Sequence, residues 1–362
     1  MKNILKLTCL LILLLISSCS KDSADDVTSN TNTYALLSSE IGTNDNGVIQ
    51  LWKNGNITDI TNKDSYSWGD NMVIENGDVY ISGSEKEVGG SVQTVIWKNG
   101  VKLNSTTSAK TNLTNFGANQ KNEEKLAVPT NAKLADFTVS GNNIYLLKDE
   151  FVDGISKIVM YKNGQPTNIT NGSHRTTAVK IKVIGPDVYI LGLEENESST
   201  SVLKVWKNGQ PTNLTDGTNF ARADDIFITN NDVYVLGREY NGSYLKPKLW
   251  KNGVEIPNFI SDQYFAPSSL FVENNNIYVA GTTIKNVRLA QLWKNGETIN
   301  LGSSNLKHSY SSNVYVNDSK VYVSFSEQNQ DDIFVSKLWI DGEITDLSDG
   351  KTNSFIQKVV VK

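Results

Sequence analysis

The chain has 362 residues, of which 38% are hydrophobic and 20% are charged, and its formal net charge is -5 at pH 7. This composition excludes a disordered chain and a bundle of membrane spans, and it indicates a turn-rich globular protein. The negative balance argues against a nucleic-acid partner, because phosphate contacts depend on clustered Lys and Arg.

The beginning of the chain predicts a secretory signal. Lys2 and Lys6 supply a positive region around the start of the apolar run LTCLLILLLI, which is too short to span a bilayer comfortably. The segment ISSC, which ends at Cys19, resembles the lipobox of bacterial lipoproteins. That resemblance implies a signal over residues 1–18 and a lipid on Cys19 that attaches the protein to a membrane. The alternative is a plain secretory signal that happens to end near a cysteine.

Residues 19–32 are polar and acidic and predict a flexible tether. The segment also resembles the acidic run by which some Gram-negative bacteria send lipoproteins to the outer face of the outer membrane. We therefore expect a lipid-anchored protein of the outer membrane that faces the exterior. Cys9 and Cys19 are the two cysteines of the chain, so the domain after the tether contains no disulfide.

A phrase of the type WKNG occurs seven times and defines a repeat. Its first residue lies at Trp52, Trp97, Tyr161, Trp206, Trp250, Trp293 and Trp339. Successive copies are 43 to 46 residues apart, except for one interval of 64 residues. A second marker runs in step, at Tyr34, Tyr80, Tyr145, Tyr189, Tyr234, Tyr278 and Tyr322. The period predicts one repeat architecture rather than two or three separate domains.

Each unit predicts four short antiparallel strands. Two β-rich runs lead to the Trp, the Asn-Gly pair favours a tight hairpin, and a third short run follows it. A run that is apolar at nearly every position then predicts a strand covered on both faces. These features resemble those of a β-propeller, which implies an all-β ring of seven four-stranded blades over residues 33–362. The chain starts without an inner strand and ends in an extra one, SFIQKVVVK, so this last strand is expected to join the N-terminal blade and close the ring.

The repeated Trp and Tyr residues are expected to pack between blades, because a site is usually built where repeats differ. Aligning the loops before the buried strands on the following Tyr brings planar side chains to two equivalent positions. The resulting candidate ligand face consists of Tyr66, Trp68, Arg175, Phe220, Arg222, Tyr264, His308 and Tyr310. The alternative is that these side chains wedge between blades. An insertion at about residues 106–133 belongs to the same loop class and predicts a binding loop, a lid or a mobile excursion.

The sequence offers little catalytic chemistry. His174 and His308 lack the spacing of metal ligands, so we expect no metal and no cofactor. Two pairs of adjacent acids, Asp224 with Asp225 and Asp331 with Asp332, are not glycosidase dyads by themselves, since neighbours on a strand point to opposite faces.

These observations predict a monomeric surface protein that acts as a binding or scaffold module and presents one propeller face to a glycan, a peptide or a partner protein. The alternative is a hydrolase or lyase that acts on extracellular polysaccharide, with its site at the mouth of the channel.

Overall fold

The computed structural model describes residues 31–41, 46–64, 66–86, 90–103, 134–257, 259–303 and 307–362. The predicted signal, Cys19, residues 20–30 of the tether and the insertion at residues 106–133 lie outside the described residues. The described residues of the unit from Asn32 to Lys362 form strands joined by turns and bends. None of the described residues belongs to a helix able to cross a membrane.

Twenty-eight strands, labelled in chain order, form seven four-stranded antiparallel blades within the described part of the chain. From the inside outwards, blade 1 contains β28 (Ser354–Val361), β1 (Thr33–Ile41), β2 (Asn46–Lys53) and β3 (Asn56–Asp59). Blade 2 contains β4 (Tyr66–Glu75), β5 (Asp78–Lys86), β6 (Gln93–Lys98) and β7 (Val101–Leu103). Blade 3 contains β8 (Leu134–Ser140), β9 (Asn143–Val152), β10 (Ile155–Lys162) and β11 (Gln165–Asn168). Blade 4 contains β12 (Thr176–Ile184), β13 (Asp187–Glu195), β14 (Ser201–Lys207) and β15 (Gln210–Asn213).

The remaining three blades repeat this plan. Blade 5 contains β16 (Ala221–Thr229), β17 (Asp232–Tyr240), β18 (Leu245–Lys251) and β19 (Val254–Ile256). Blade 6 contains β20 (Phe265–Glu273), β21 (Asn276–Ile284), β22 (Arg288–Lys294) and β23 (Glu297–Asn300). Blade 7 contains β24 (Ser309–Asn317), β25 (Lys320–Gln328), β26 (Phe334–Ile340) and β27 (Glu343–Asp346).

The ring closes in blade 1, where the two ends of the propeller share one sheet. Strand β28 pairs antiparallel with β1, from Thr33 opposite Val361 to Ser39 opposite Ser354. Beyond the strands, the Asn32 amide donates to the Lys362 carbonyl at 2.6 Å, and the Lys362 amide donates back at 2.9 Å. Each inner strand also lies beside the inner strand of the next blade, from β4 round to β28 and back to β4. The predicted seven-bladed fold and its closure by the C-terminal strand are confirmed.

The repeated aromatic residues form the interior between blades. Trp97, Trp206 and Trp250 are at most 2% exposed, and the seven marker tyrosines are all buried. Trp97, for example, lies in one apolar cluster with Leu36 and Ile49 of blade 1. Large aromatic side chains suit this position because each removes a large area from water. The expected structural role of the repeated phrase is therefore confirmed for these residues.

Each inner strand contains a β-bulge, at which the register with its neighbour shifts by one residue. In four blades a glycine of the second strand lies opposite this irregularity, namely Gly83, Gly192, Gly237 and Gly281. A Cβ atom at Gly237 would lie 2.6 Å from the carbonyl oxygen of Arg222, so the bulge requires a residue without a side chain at this position. The bulge fixes which residues after it point to the channel.

Candidate functional site

The inner strands all run in the same direction, so their first residues meet on one rim of the ring, called here the start rim. The backbone shows that four of the predicted face residues occupy equivalent places on it. The carbonyl oxygens of Arg175, Phe220, Tyr264 and His308 each accept a hydrogen bond from the end of the second strand of the same blade, at 2.8 to 2.9 Å. Phe220 and Tyr264 are 43% and 48% exposed. These two rings are therefore available to solvent and do not wedge between blades.

Four half-buried rings on the start rim form a continuous series, called here the aromatic strip: Trp68, Phe355, Phe334 and Tyr310. The ring centroids of Trp68 and Phe355 are 5.6 Å apart, those of Phe355 and Phe334 are 5.0 Å apart, and those of Phe334 and Tyr310 are 5.6 Å apart. Successive rings are tilted by 38° to 52°. The strip thus follows the curve of the rim from blade 2 across blade 1 to blade 7.

Polar groups hold the Tyr310 end of the strip. The Arg288 guanidinium lies 5.4 Å from the centroid of the Tyr310 ring and also donates a hydrogen bond to the Tyr310 hydroxyl. The Arg288 backbone amide donates to Nδ1 of His308 at 3.2 Å. Lys307 forms an ion pair with Asp332 at 2.6 Å beside this group. This end of the strip therefore combines an exposed guanidinium with an aromatic hydroxyl and an imidazole, which are groups that can bind hydroxyl or carboxylate oxygens.

The other predicted residues lie separately on the rim and do not join the strip. The Arg222 guanidinium lies 6.0 Å from the centroid of the Phe220 ring. The Lys285 ammonium lies 5.5 Å from the centroid of the Tyr264 ring and pairs with Asp262 at 3.3 Å. Arg175 is exposed, and Tyr66 is half-buried. The structure brings Trp68, His308 and Tyr310 into or beside one strip and leaves Arg175, Phe220, Arg222 and Tyr264 on other blades.

Sequence reasoning missed three residues of the strip and its end: Phe355, Phe334 and Arg288. The sequence alignment used the tyrosine that follows each inner strand, and β28 has no following tyrosine because the chain ends there. Phe355 is nevertheless the counterpart of Trp68 when the bulges are aligned. Phe334 and Arg288 begin the third strands of blades 7 and 6, whose preceding hairpin loops reach the same rim. A search of those hairpins for aromatic and Arg residues would have found both.

The acids proposed from sequence hold the fold together. Asp224 forms a two-point ion pair with Arg238, at 2.5 and 3.0 Å, while Asp225 accepts the backbone amide of Leu270 at 2.9 Å in the next blade. Burial raises the pKa of Asp224, and the hydrogen bond from Arg238 opposes that rise. Asp224 and Asp225 thus contact different partners, Arg238 and the Leu270 amide, which agrees with the expectation that the two carboxyl groups do not act together as a dyad. Among the described residues, no group of three or more His, Cys, Asp or Glu side chains has the arrangement of a metal site.

Comparison with known proteins gives a fold and no family. No protein-family model matches the chain, and no curated protein matches it by sequence. A structure from a study of two prolyl endopeptidases aligns with a TM-score of 0.51 and 10% identity over 90% of this chain and 50% of that chain. This chain thus spans about half of that protein's length. The β-propeller domain of the Trilobed protease from Pyrococcus furiosus aligns with a TM-score of 0.51 and 8% identity, over 88% of this chain and 93% of that domain. That domain has an open Velcro topology, whereas β28 closes the ring here.

Proposed function

We propose that this protein is a binding module that attaches to the outer membrane through a lipid on Cys19 and presents its start rim to a glycan. The aromatic strip is the observation that carries the proposal. Four neighbouring rings on one rim remain partly open to solvent, although a propeller can bury aromatic residues between its blades, as it does with the repeated Trp residues. Exposed aromatic clusters of this kind mark interaction sites.

The strip is better suited to bind a glycan than to bind the flat surface of a protein. Sugar rings present C–H faces that stack on aromatic rings, and their hydroxyl groups hydrogen-bond to polar side chains at the ring edges. The strip supplies the rings in a curved row, and Arg288 supplies donors at its end. A peptide or a partner protein is an outcome that the experiment below distinguishes.

The hydrolase alternative requires two carboxyl groups that face each other across a substrate. Near the strip, the described carboxylates of Glu327 and Asp332 are engaged: Glu327 accepts the Ser303 backbone amide, and Asp332 pairs with Lys307. Binding without cleavage is therefore the function that the rim supports best.

The decisive experiment compares three variants of the full chain, purified in mild detergent, on an array of immobilised polysaccharides and oligosaccharides. Trp68→Ala and Phe334→Ala each interrupt the strip and should weaken binding by at least about tenfold, which corresponds to about 1.4 kcal/mol. Val254→Ala is the control, because Val254 is 71% exposed but lies in the β18–β19 hairpin of blade 5, at the rim opposite the start rim. That variant should bind as the unchanged protein does.

Three results would overturn the glycan assignment. The first is the absence of any bound glycan together with capture of a peptide or protein by the same strip. The second is equal loss of binding in the Val254 control. The third is the release of shortened products from a bound polysaccharide, which would establish the hydrolase. Melting temperatures measured in parallel show whether Trp68→Ala acts through binding or through the fold, and Trp68→Phe keeps a ring at that position.

The anchor is tested separately from the rim. Cys19→Ala should abolish labelling by a fatty-acid probe in growing cells and should release the protein from the membrane fraction. Unchanged labelling and retention in that variant would contradict a lipid on Cys19. Protease treatment of intact cells then reports whether the ring faces the exterior.

A further inference from the structure

The bulge in each inner strand places one polar side chain per blade in a ring around the channel, called here the polar ring. Its members are Asn71, Asp136, Lys180, Asp225, Ser269, Asn313 and Lys358. Three of them link neighbouring blades through backbone amides. Asp136 accepts from Ile181 at 3.0 Å, Asp225 accepts from Leu270 at 2.9 Å, and Asn313 accepts from Val359 at 3.2 Å. The acceptors of the ring are therefore used by the fold.

The lysines of the channel are not used in this way. Lys180, Lys182 and Lys358 are half-buried on the inner strands. In the part of the chain that the structure describes, none of their ammonium groups forms an ion pair within 4.0 Å. Asp136 also accepts Nδ2 of Asn71 at 2.6 Å, and Asp225 also accepts the Ile226 amide at 2.9 Å, so both carboxylates are already occupied. Three cations thus share a narrow channel with two carboxylates that are bound elsewhere.

The charges act on the lysines in opposite ways. The negative charge of Asp136 raises the pKa of Lys180. Burial lowers the pKa of Lys358 to about 8, and the positive charges of Lys182 and Lys180 add to that effect. Asp136 therefore partly compensates the charge of Lys180, whereas the carboxylates of Asp225 and Asp136 do not outweigh the effect of burial on Lys358.

Below the polar ring the channel contains a cavity of about 250 Å³, lined by residues of all seven inner strands. One side is an arc of three rings: the centroids of Phe227 and Phe271 are 4.5 Å apart, and those of Phe271 and Tyr315 are 5.0 Å apart. Lys182 and Lys358 line the same cavity. The cavity therefore offers an apolar aromatic wall and two ammonium groups to one small occupant.

We propose that the channel cavity is a binding site for a small organic anion, whose carboxylate or phosphate group is held by Lys182 and Lys358 and whose apolar body packs against Phe227, Phe271 and Tyr315. A channel with low-dielectric walls focuses the field of its lysines and so attracts anions of this size. An anion would also offset the unbalanced charge of Lys358. The site is separate from the aromatic strip, since the cavity extends from the polar ring towards the ends of the inner strands. It does not depend on the glycan proposal.

The test is calorimetric titration of the full chain in mild detergent with three probes: benzoate, benzyl alcohol and inorganic phosphate. Benzoate carries both the ring and the charge and should bind most tightly, while benzyl alcohol lacks the charge and phosphate lacks the ring. Lys182→Gln and Lys358→Gln should each weaken benzoate binding by about tenfold or more. Lys246→Gln is the matched control because Lys246 is exposed on β18, and it should bind benzoate as the unchanged protein does.

Absence of benzoate binding, or benzoate binding that both channel variants retain, would overturn the proposal. Phosphate binding as tight as benzoate binding would overturn the role of the aromatic arc. A pH series on the unchanged protein covers the case in which a variant fails to fold. Benzoate affinity should fall as the pH rises through about 8, where Lys358 loses its charge. The charged and titratable groups around Lys358 in that series are Lys180, Lys182, Asp136, Asp225, Glu75, Asp70, Tyr315 and Lys362.

Discussion

At the scale of single residues, the WKNG phrase is a set of local contacts that each blade needs. In blade 5, Asn252 adopts a left-handed backbone with φ of 51° and begins the hairpin turn. Its side-chain oxygen accepts the Val233 amide at 2.8 Å, and its amide nitrogen donates to Asp232 at 2.7 Å. Lys251 pairs with the same Asp232 at 2.7 Å and lies 5.3 Å from the centroid of the Tyr234 ring. The Asn thus binds the backbone at the start of the second strand as well as making the turn, and this double role explains its recurrence.

This double role predicts the effect of replacing Asn252. Asn252→Ala removes the acceptor for the Val233 amide and places a residue that disfavours positive φ in the turn, so it should lower the free energy of unfolding by about 1–2 kcal/mol. The control is the swapped double variant Asp232→Asn with Asn252→Asp, which keeps an acceptor for the Val233 amide and one amide–carboxylate hydrogen bond; blade 7 already has an Asp in this turn, Asp341, with φ of 47° and the Val321 amide at 3.0 Å. Urea unfolding of both variants measures the difference. Equal stability of the two would contradict the capping role.

Asp149 links blades 3 and 4 at a cost that depends on pH. Burial raises its pKa to about 6, while the hydrogen bond from the Ala178 amide opposes the rise. The folded protein therefore binds this proton more tightly than the unfolded chain does, so stability falls as the pH rises from about 4 to about 6 and stays lower above that range.

Asp149→Asn keeps an oxygen for the Ala178 amide and removes the charge. It should raise the free energy of unfolding at pH 7 by about 1–3 kcal/mol and flatten the pH dependence between pH 4 and 6. Asp187→Asn serves as a control of opposite sign: Lys207 and Asn208 lower the pKa of Asp187, so this variant should be less stable than the unchanged protein at pH 7 and should leave the pH dependence between pH 4 and 6 as it is. Thermal melts across this pH range measure both. A lower melting temperature for Asp149→Asn at pH 7 would refute the argument.

At the scale of strands, sequence patterns predicted the number and order of elements but not the bulges. Continuous apolar runs such as IFIT indicate an inner strand, because both faces of that strand are covered. A bulge adds one residue to a strand and reverses the alternation from that point, so the direction of Asp225 or Lys358 depends on a register that only the paired strand defines. The polar ring could therefore not be predicted from the sequence. The sequence indicated half of the aromatic strip: Trp68 and Tyr310 lie at positions that differ between repeats. Phe355 and Phe334 lie on β28 and β26, which the alignment did not compare.

The closing strand gives the sharpest prediction for an element. Removing residues 354–362 takes away β28 and exposes the edge of β1. It also uncovers the buried side chain of Leu37, which packs in one apolar cluster with Val359 of the removed strand. Ile356, Val359 and Val361 are at most 1% exposed, so their loss should produce aggregation or a large fall in melting temperature. Lys362→Ala is the control and should have a small effect, because it keeps the backbone hydrogen bonds to Asn32 and removes only an exposed side chain. A truncated protein that melts with the full ring would contradict closure through β28.

At the scale of the whole molecule, the ring holds two different environments along one axis. The aromatic strip lies on the start rim and offers half-buried rings, while the channel cavity is lined by all seven inner strands. Every blade contributes to the cavity, so its shape depends on closure of the complete ring. Asp136, Asp225 and Asn313 accept hydrogen bonds from backbone amides of neighbouring blades and so stabilise the ring next to the lysines. The same residues that close the ring thereby leave the lysine charges for a ligand.

Lys358 shows the cost of keeping such a charge in the channel. Its pKa in the folded protein is about 8 against 10.5 for the ordinary side chain, because of burial and the nearby Lys182 and Lys180, with Asp225 and Asp136 opposing the shift. The unfolded chain therefore binds this proton more tightly, so the stability contributed by the neutral form is lost as the pH falls through about 8 and is fully present above about 10.5.

Lys358→Met should raise the free energy of unfolding at pH 7 by about 1–3 kcal/mol, and this gain should shrink towards pH 10. Lys246→Met, on the exterior of blade 5, should show no such pH-dependent gain. Urea unfolding of the three proteins at pH 7 and pH 10 tests the sign: a Lys358→Met protein that is less stable at pH 7 would mean that the fold, rather than a bound anion, requires this charge.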